Sequence, residues 1–142
     1  MHVIPIAREF ETVQRFDVEK VAQLYGATEI VTLRSGDFLF REGDEGDALY
    51  IVKSGTVRIM NGSVVYETVR AGGIVGEMAI VDKGMPRSAS VIAATPAELI
   101  RIDVAKFLAL VTSAPDFALT VMAVMARRIR VMNWRYRPAP PS

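Results

Sequence analysis

Between Gly76 and Ser90 the chain gathers a carboxylate, a guanidinium and hydroxyls around small residues, an inventory suited to holding an anion beside a sugar. The stretch reads Gly76-Glu77-Met78-Ala79-Ile80-Val81-Asp82-Lys83-Gly84-Met85-Pro86-Arg87-Ser88-Ala89-Ser90. Gly76 lets a ligand approach the backbone closely. The amides of Met78 and Ala79 open a short helical turn, where N–H groups face an anionic oxygen. Arg87 presents a planar fork that matches two phosphate oxygens, and Ser88 adds a hydroxyl. Glu77 beside an anion is unfavourable unless a sugar hydroxyl and Arg87 lie next to it. Two charges alone would read as an ion pair bracing a loop. The small neighbours Gly76, Ala79, Ser88 and Ala89 favour a ligand instead.

The elements that position this segment are mostly short strands. Runs of Val, Ile, Thr, Tyr and Phe alternate with glycine-bearing turns between Glu29 and Asp103. They predict strands at Glu29–Leu33, Phe38–Arg41, Ala48–Lys53, Thr56–Met60, Val64–Val69, Ile74–Val75, Ser88–Ala93 and Glu98–Ile102. Asn61-Gly62 marks a hairpin in which both turn positions take positive φ. The fold class is therefore mainly β with flanking helices: an eight-stranded antiparallel β-roll, or double-stranded jelly roll. Apolar residues from Phe10 to Leu24 recur at three- and four-residue steps and predict N-terminal helices. Asp103 caps a short helix over Val104–Val111, and Ser113-Ala114-Pro115-Asp116 reads as a capping box opening a long helix to Trp134. The expected organisation is one domain. It has a helical segment at 1–28, the roll at 29–103 with its cassette at 74–91, helices at 104–135 and a tail at 136–142.

Composition narrows the function. With 142 residues and 51% hydrophobic content, the chain supports one core. A net charge of +1 gives no basic excess for a dedicated nucleic-acid surface. Cysteine is absent and His2 is the single histidine, so thiol catalysis, a zinc site and a Ser–His–Asp hydrolase are not expected. No metal site, cofactor or catalytic residue is assigned. The longest apolar stretch, Phe117 to Ala126, covers about half of the roughly 20 residues of a membrane helix. With no export signal at the N-terminus, the expected location is the cytoplasm, without membrane contact.

The segment from Gly76 to Ala89 resembles the phosphate-binding cassette of the cyclic nucleotide-binding domain family: Gly-Glu, small and aliphatic residues, a short loop, then Arg-Ser-Ala. A second family signature runs from Gly36 through Asp37-Phe38-Leu39-Phe40-Arg41-Glu42-Gly43 and Gly46 to Gly55. The resemblance covers about Glu29 to Trp134. It implies that Glu77 accepts the ribose 2′-hydroxyl and that Arg87 neutralises the cyclic phosphate. The Ala79 amide and the Ser88 hydroxyl complete the phosphate shell, with Gly76, Met78 and Ala89 forming the rest of the cassette. Ile74 and Val75 line the ribose and base. Val75 departs from the phenylalanine that many members carry there. Threonine after the arginine is associated with cGMP in this family, so Ser88 leaves the ligand as cAMP, with cGMP the alternative. Met125-Ala126-Arg127-Arg128 matches the last helix of the family's bacterial regulators, which places Met132 and Asn133 near the base. By the same likeness the Phe117–Trp134 helix is a lid or a homodimer contact. Those regulators carry a helix-turn-helix after this helix. Eight residues follow Trp134 here, so no direct DNA contact is expected and output passes to an unknown effector protein.

Plainer assignments stand beside these. A protein-interaction module on the same roll, binding no nucleotide, is the alternative function; a nucleotide-hydrolysing enzyme ranks lowest. Gly43–Asp47 reads as a solvated turn, since it lacks the spaced oxygens of a calcium loop. Met122, Met125 and Met132 read as helix packing. Arg127, Arg128, Arg130, Arg135 and Arg137 read as a solvated helix face.

Overall fold

The computed structural model describes residues 29–135, with side chains as far as Asn133. The helices expected at 1–28 and the tail at 136–142 lie outside those residues. Eight strands form two four-stranded antiparallel sheets. The first holds β1 (Ile30–Leu33), β8 (Ala97–Asp103), β3 (Ala48–Ser54) and β6 (Ile74–Val75) in that order. The second holds β2 (Phe38–Phe40), β7 (Ser90–Ala93), β4 (Val57–Asn61) and β5 (Val64–Val69). Among the described residues three helices lie along the chain: α1 (Met78–Val81) between β6 and β7, then α2 (Val104–Ser113) and α3 (Asp116–Arg135) after β8.

The centre of the first sheet is buried on both faces, which explains the apolar run Ala48–Val52 of β3 and the adjacent Leu99-Ile100 of β8. One face gives Val52, Val75 and Leu99 to the roll interior, where Leu33, Val57, Val69 and Val91 meet them. The other gives Leu49, Ile51, Ile74, Ile100 and Ile102 to α2 and α3, against Leu110, Phe117, Val121 and Val124. Each such aliphatic side chain contributes roughly 1.5–3 kcal/mol when fully buried. Phe107 and Phe117 meet edge-on with centroids 5.7 Å apart and join the two long helices. Because side chains alternate along a strand, Ile74 and Val75 face opposite ways. Only Val75 lines the roll; the expectation that both do so is corrected.

Two expected turn details also change. Asn61 pairs with Val64, so the β4–β5 loop is Gly62-Ser63 rather than Asn61-Gly62. Gly62 takes φ +59° and no described non-glycine residue has positive φ, the pattern of a type II′ turn. Asp103 does cap α2, its Oδ1 accepting from the Lys106 amide at 2.9 Å. Ser113, however, is the last residue of α2 rather than a cap for α3. The first turn of α3 closes instead on the carbonyls of Ala114 and Pro115.

The inward stripe of α3 runs Phe117, Val121, Val124, Arg128 and Val131, at alternating steps of four and three. An arginine therefore occupies a core position of the helix. Among the described residues no single helix is long and apolar enough to cross a membrane.

Candidate functional site

Arg87 enters β7 through a strap built from the β2–β3 loop. Gly43 donates its amide to the Arg87 carbonyl and the Arg87 amide donates to the Asp44 carbonyl, both at 2.8 Å. Asp44 closes the strap by accepting the Arg41 amide at 3.0 Å. The segment expected to be a solvated turn thus fixes the backbone of the central cation.

The Arg87 side chain is buried, at 6% exposure. Its Nη1 donates to the Gly76 carbonyl at 3.0 Å and its Nη2 to the Ala48 carbonyl at 2.9 Å. The guanidinium carbon sits 4.0 Å from the centroid of the Phe40 ring, a cation–π contact. Its Nε is buried without a hydrogen-bond partner, and among the described residues no carboxylate lies within ion-pair distance. Burial pulls its pKa below the usual arginine value, an effect that Tyr50, Asp47, Glu77 and Asp44 offset only in part. Arginine stays protonated at neutral pH regardless. A buried cation balanced only by carbonyls and a ring is electrostatically set to receive an anion.

Gly76 makes this packing possible. It adopts φ +78°, and a Cβ there would lie 2.7 Å from Arg87 Nη1 and 3.2 Å from the Phe40 ring. Gly76→Ala therefore strains the backbone and displaces the guanidinium. It is expected to lower stability by about 1–3 kcal/mol, read as a fall in melting temperature.

Glu77, 4% exposed, does not pair with Arg87. Its partner is Arg128 of α3, whose Nη1 lies 2.8 Å from Glu77 Oε2. That contact joins one oxygen of Glu77 to one nitrogen of Arg128. Arg128 also makes a fork to Glu67 of β5, with Nε to Oε1 and Nη2 to Oε2 both at 3.1 Å. Its Nη2 further donates to the Ile74 carbonyl at 2.6 Å. Burial alone would lower the Arg128 pKa, but the carboxylates of Glu77 and Glu67 outweigh it and hold it above the usual arginine range.

Arg128 and Glu67 were not among the expected site residues. Reading Arg128 as part of a solvated face is corrected: it is 17% exposed and pinned between two buried acids. Its position in the inward stripe of α3 was the available signal.

The other expected residues divide. The Ala79 amide bonds weakly to the Gly76 carbonyl at 3.3 Å inside the α1 turn. Ser88 and Met78 are exposed and Ala89 is half-buried. Ile74 contributes its carbonyl to Arg128, while its side chain sits under the helices. Met132 and Asn133 are exposed on α3, one turn beyond Arg128. Of the three helix methionines only Met125 packs on the core; Met122 and Met132 face outward, which corrects the packing assignment for those two.

The model of the cyclic nucleotide-binding domain family matches residues 30–114. The chain is 31% identical over 116 residues to the Pycsar effector protein XpPycTIR of Xanthomonas perforans, covering 81% of this chain and 38% of that one. It is 36% identical over 100 residues to the cyclic AMP receptor protein of Thermus thermophilus, covering 67% and 46%. The crystal structure of the Thermus thermophilus catabolite activator protein superposes with a TM-score of 0.70 at 30% identity, covering 83% of this chain and 56% of that one. The chain thus spans less than half the length of both curated relatives.

Proposed function

Because this chain belongs to the cyclic nucleotide-binding domain family, we propose that it is a cyclic nucleotide receptor module whose ligand is cAMP and whose output element is α3. The observation that carries this reading is a buried arginine without a carboxylate partner, bonded to the carbonyl of Gly76, the residue before a buried glutamate tied to a helix. Arg87 takes the cyclic phosphate, with the exposed Ser88 hydroxyl and the Ala79 amide beside it. Glu77 accepts the ribose 2′-hydroxyl. Gly76, Met78 and Ala89 shape the cassette, and Val75 lines the roll. A ligand that touches Glu77 touches the partner of Arg128 and so biases where α3 sits. The module works in the cytoplasm and passes its state to an effector protein.

The test is calorimetric titration with cAMP, cGMP, cCMP and cUMP in parallel. Micromolar or tighter binding is expected, strongest for cAMP. Flat traces with all four, from folded protein free of carried-over nucleotide, overturn the reading and leave a protein-interaction module.

The second copy of this chain is the proposed partner of the outer face of α3. Leu119, Met122, Ala126, Ile129 and Asn133 are all exposed and recur at alternating steps of three and four, the a/d spacing of a coiled coil. Asn133 falls at an a position, where a polar residue fixes register at some cost in stability. Sedimentation is expected to give a dimer that Ile129→Glu turns into a monomer. A wild-type monomer at high micromolar concentration would sink the assignment.

A further inference from the structure

Glu67 is the one charged residue of strand β5, Val64-Val65-Tyr66-Glu67-Thr68-Val69, and it is 5% exposed. The cassette does not need it to hold an anion, since it lies on β5 and its fork is turned to Arg128. The geometry within the triad is unequal. Glu67 engages Arg128 through both of its oxygens, on Nε and Nη2, whereas Glu77 meets the same guanidinium through one oxygen on Nη1. With Nε and Nη2 on Glu67, and Nη2 also on the Ile74 carbonyl, Arg128 has only Nη1 left for Glu77. Glu77 therefore keeps lone pairs that a bidentate arginine would otherwise occupy.

We infer that Glu67 is a positioning residue for ribose recognition: by taking the fork of Arg128, it leaves Glu77 open to the 2′-hydroxyl. The inference rests on the cyclic nucleotide reading above. Without the Glu67 charge, Glu77 becomes the only carboxylate within reach of Arg128 among the described residues. The guanidinium then turns its fork onto Glu77 and competes with the sugar for the same oxygens. Arg128 keeps its Glu67 and Ile74 bonds while the ligand engages Glu77, because neither involves the ribose acceptor, and only its Glu77 contact changes.

The experiment compares cAMP with 2′-deoxy-cAMP on the native chain and on Glu67→Gln. In the native chain, losing the hydroxyl is expected to weaken binding roughly 10- to 100-fold, as for a hydrogen bond to a charged acceptor. In Glu67→Gln the two nucleotides are expected to bind within about threefold of each other, because cAMP loses its acceptor while the deoxy analogue has none to lose. A folded Glu67→Gln that keeps the native ratio overturns the inference, whatever its melting temperature. Should that variant not fold, the native chain decides. The Arg128 Nε–H resonance, assigned by its loss in Arg128→Lys, is expected to stay protected from solvent exchange on saturation with cAMP. Loss of that protection overturns the role of Glu67. Native protein that binds neither nucleotide overturns the receptor reading itself, a result distinct from binding without discrimination.

Discussion

Arg87→Ala is expected to remove detectable cyclic nucleotide binding from this chain. Arg87 is 6% exposed and has no carboxylate partner among the described residues, so its charge is available to an entering phosphate. Removing one member of a buried, hydrogen-bonded charge pair costs about 2–5 kcal/mol, which takes a micromolar complex beyond ordinary calorimetric range. The same change strands the carbonyls of Gly76 and Ala48 and takes the cation from the Phe40 ring. A fall in melting temperature therefore accompanies the loss. Arg87→Lys separates the two effects. It keeps the charge but not the planar fork, so binding should return only in part. Arg87→Ala that stays folded and binds within threefold of the native chain would remove Arg87 from the site.

Both sheets and the cassette were legible in the sequence because their determinants are local. Glycines punctuate the strands, and an alternating or doubly buried apolar pattern sets each strand's faces. Gly76, Glu77 and Arg87 lie within twelve residues of chain, so their grouping too is local. What escaped depends on distance along the sequence. Glu67 and Arg128 are 61 residues apart and meet only because α3 lies back on the sheet beside β6. Read locally, Arg127-Arg128 in a run of five arginines looks like a solvated face. Read by period, Arg128 falls in the stripe of Phe117, Val121, Val124 and Val131 and must be buried. An acid inside strand β5 poses the complementary question, and each residue answers the other. Residue type alone assigns the outward Met122 and Met132 to packing, without regard to the face of the helix each occupies. A helix whose opposite faces are both apolar cannot bury both on one roll.

Arg128→Met tests the Glu67–Arg128–Glu77 triad as a structural element, with a large expected effect on stability. Truncation leaves Glu67 and Glu77 buried without their cation, which costs about 3–5 kcal/mol. For a domain of this size that corresponds to a melting-temperature drop of roughly 10–20 °C. Adding Glu67→Leu to Arg128→Met should recover a large part of the loss, since an apolar replacement of a buried ion pair is often neutral or stabilising. A double-mutant cycle should assign more coupling to Arg128–Glu67 than to Arg128–Glu77, because only the former carries two aligned hydrogen bonds. If packing were the only purpose of these charges, the recovered double variant would also keep the nucleotide response of α3. The expectation is the opposite. With Arg128 gone, α3 loses its contact with Glu77, so nucleotide binding should no longer slow amide exchange along α3. Unchanged protection of α3 by cAMP in that variant would show that the helix senses the ligand by another route.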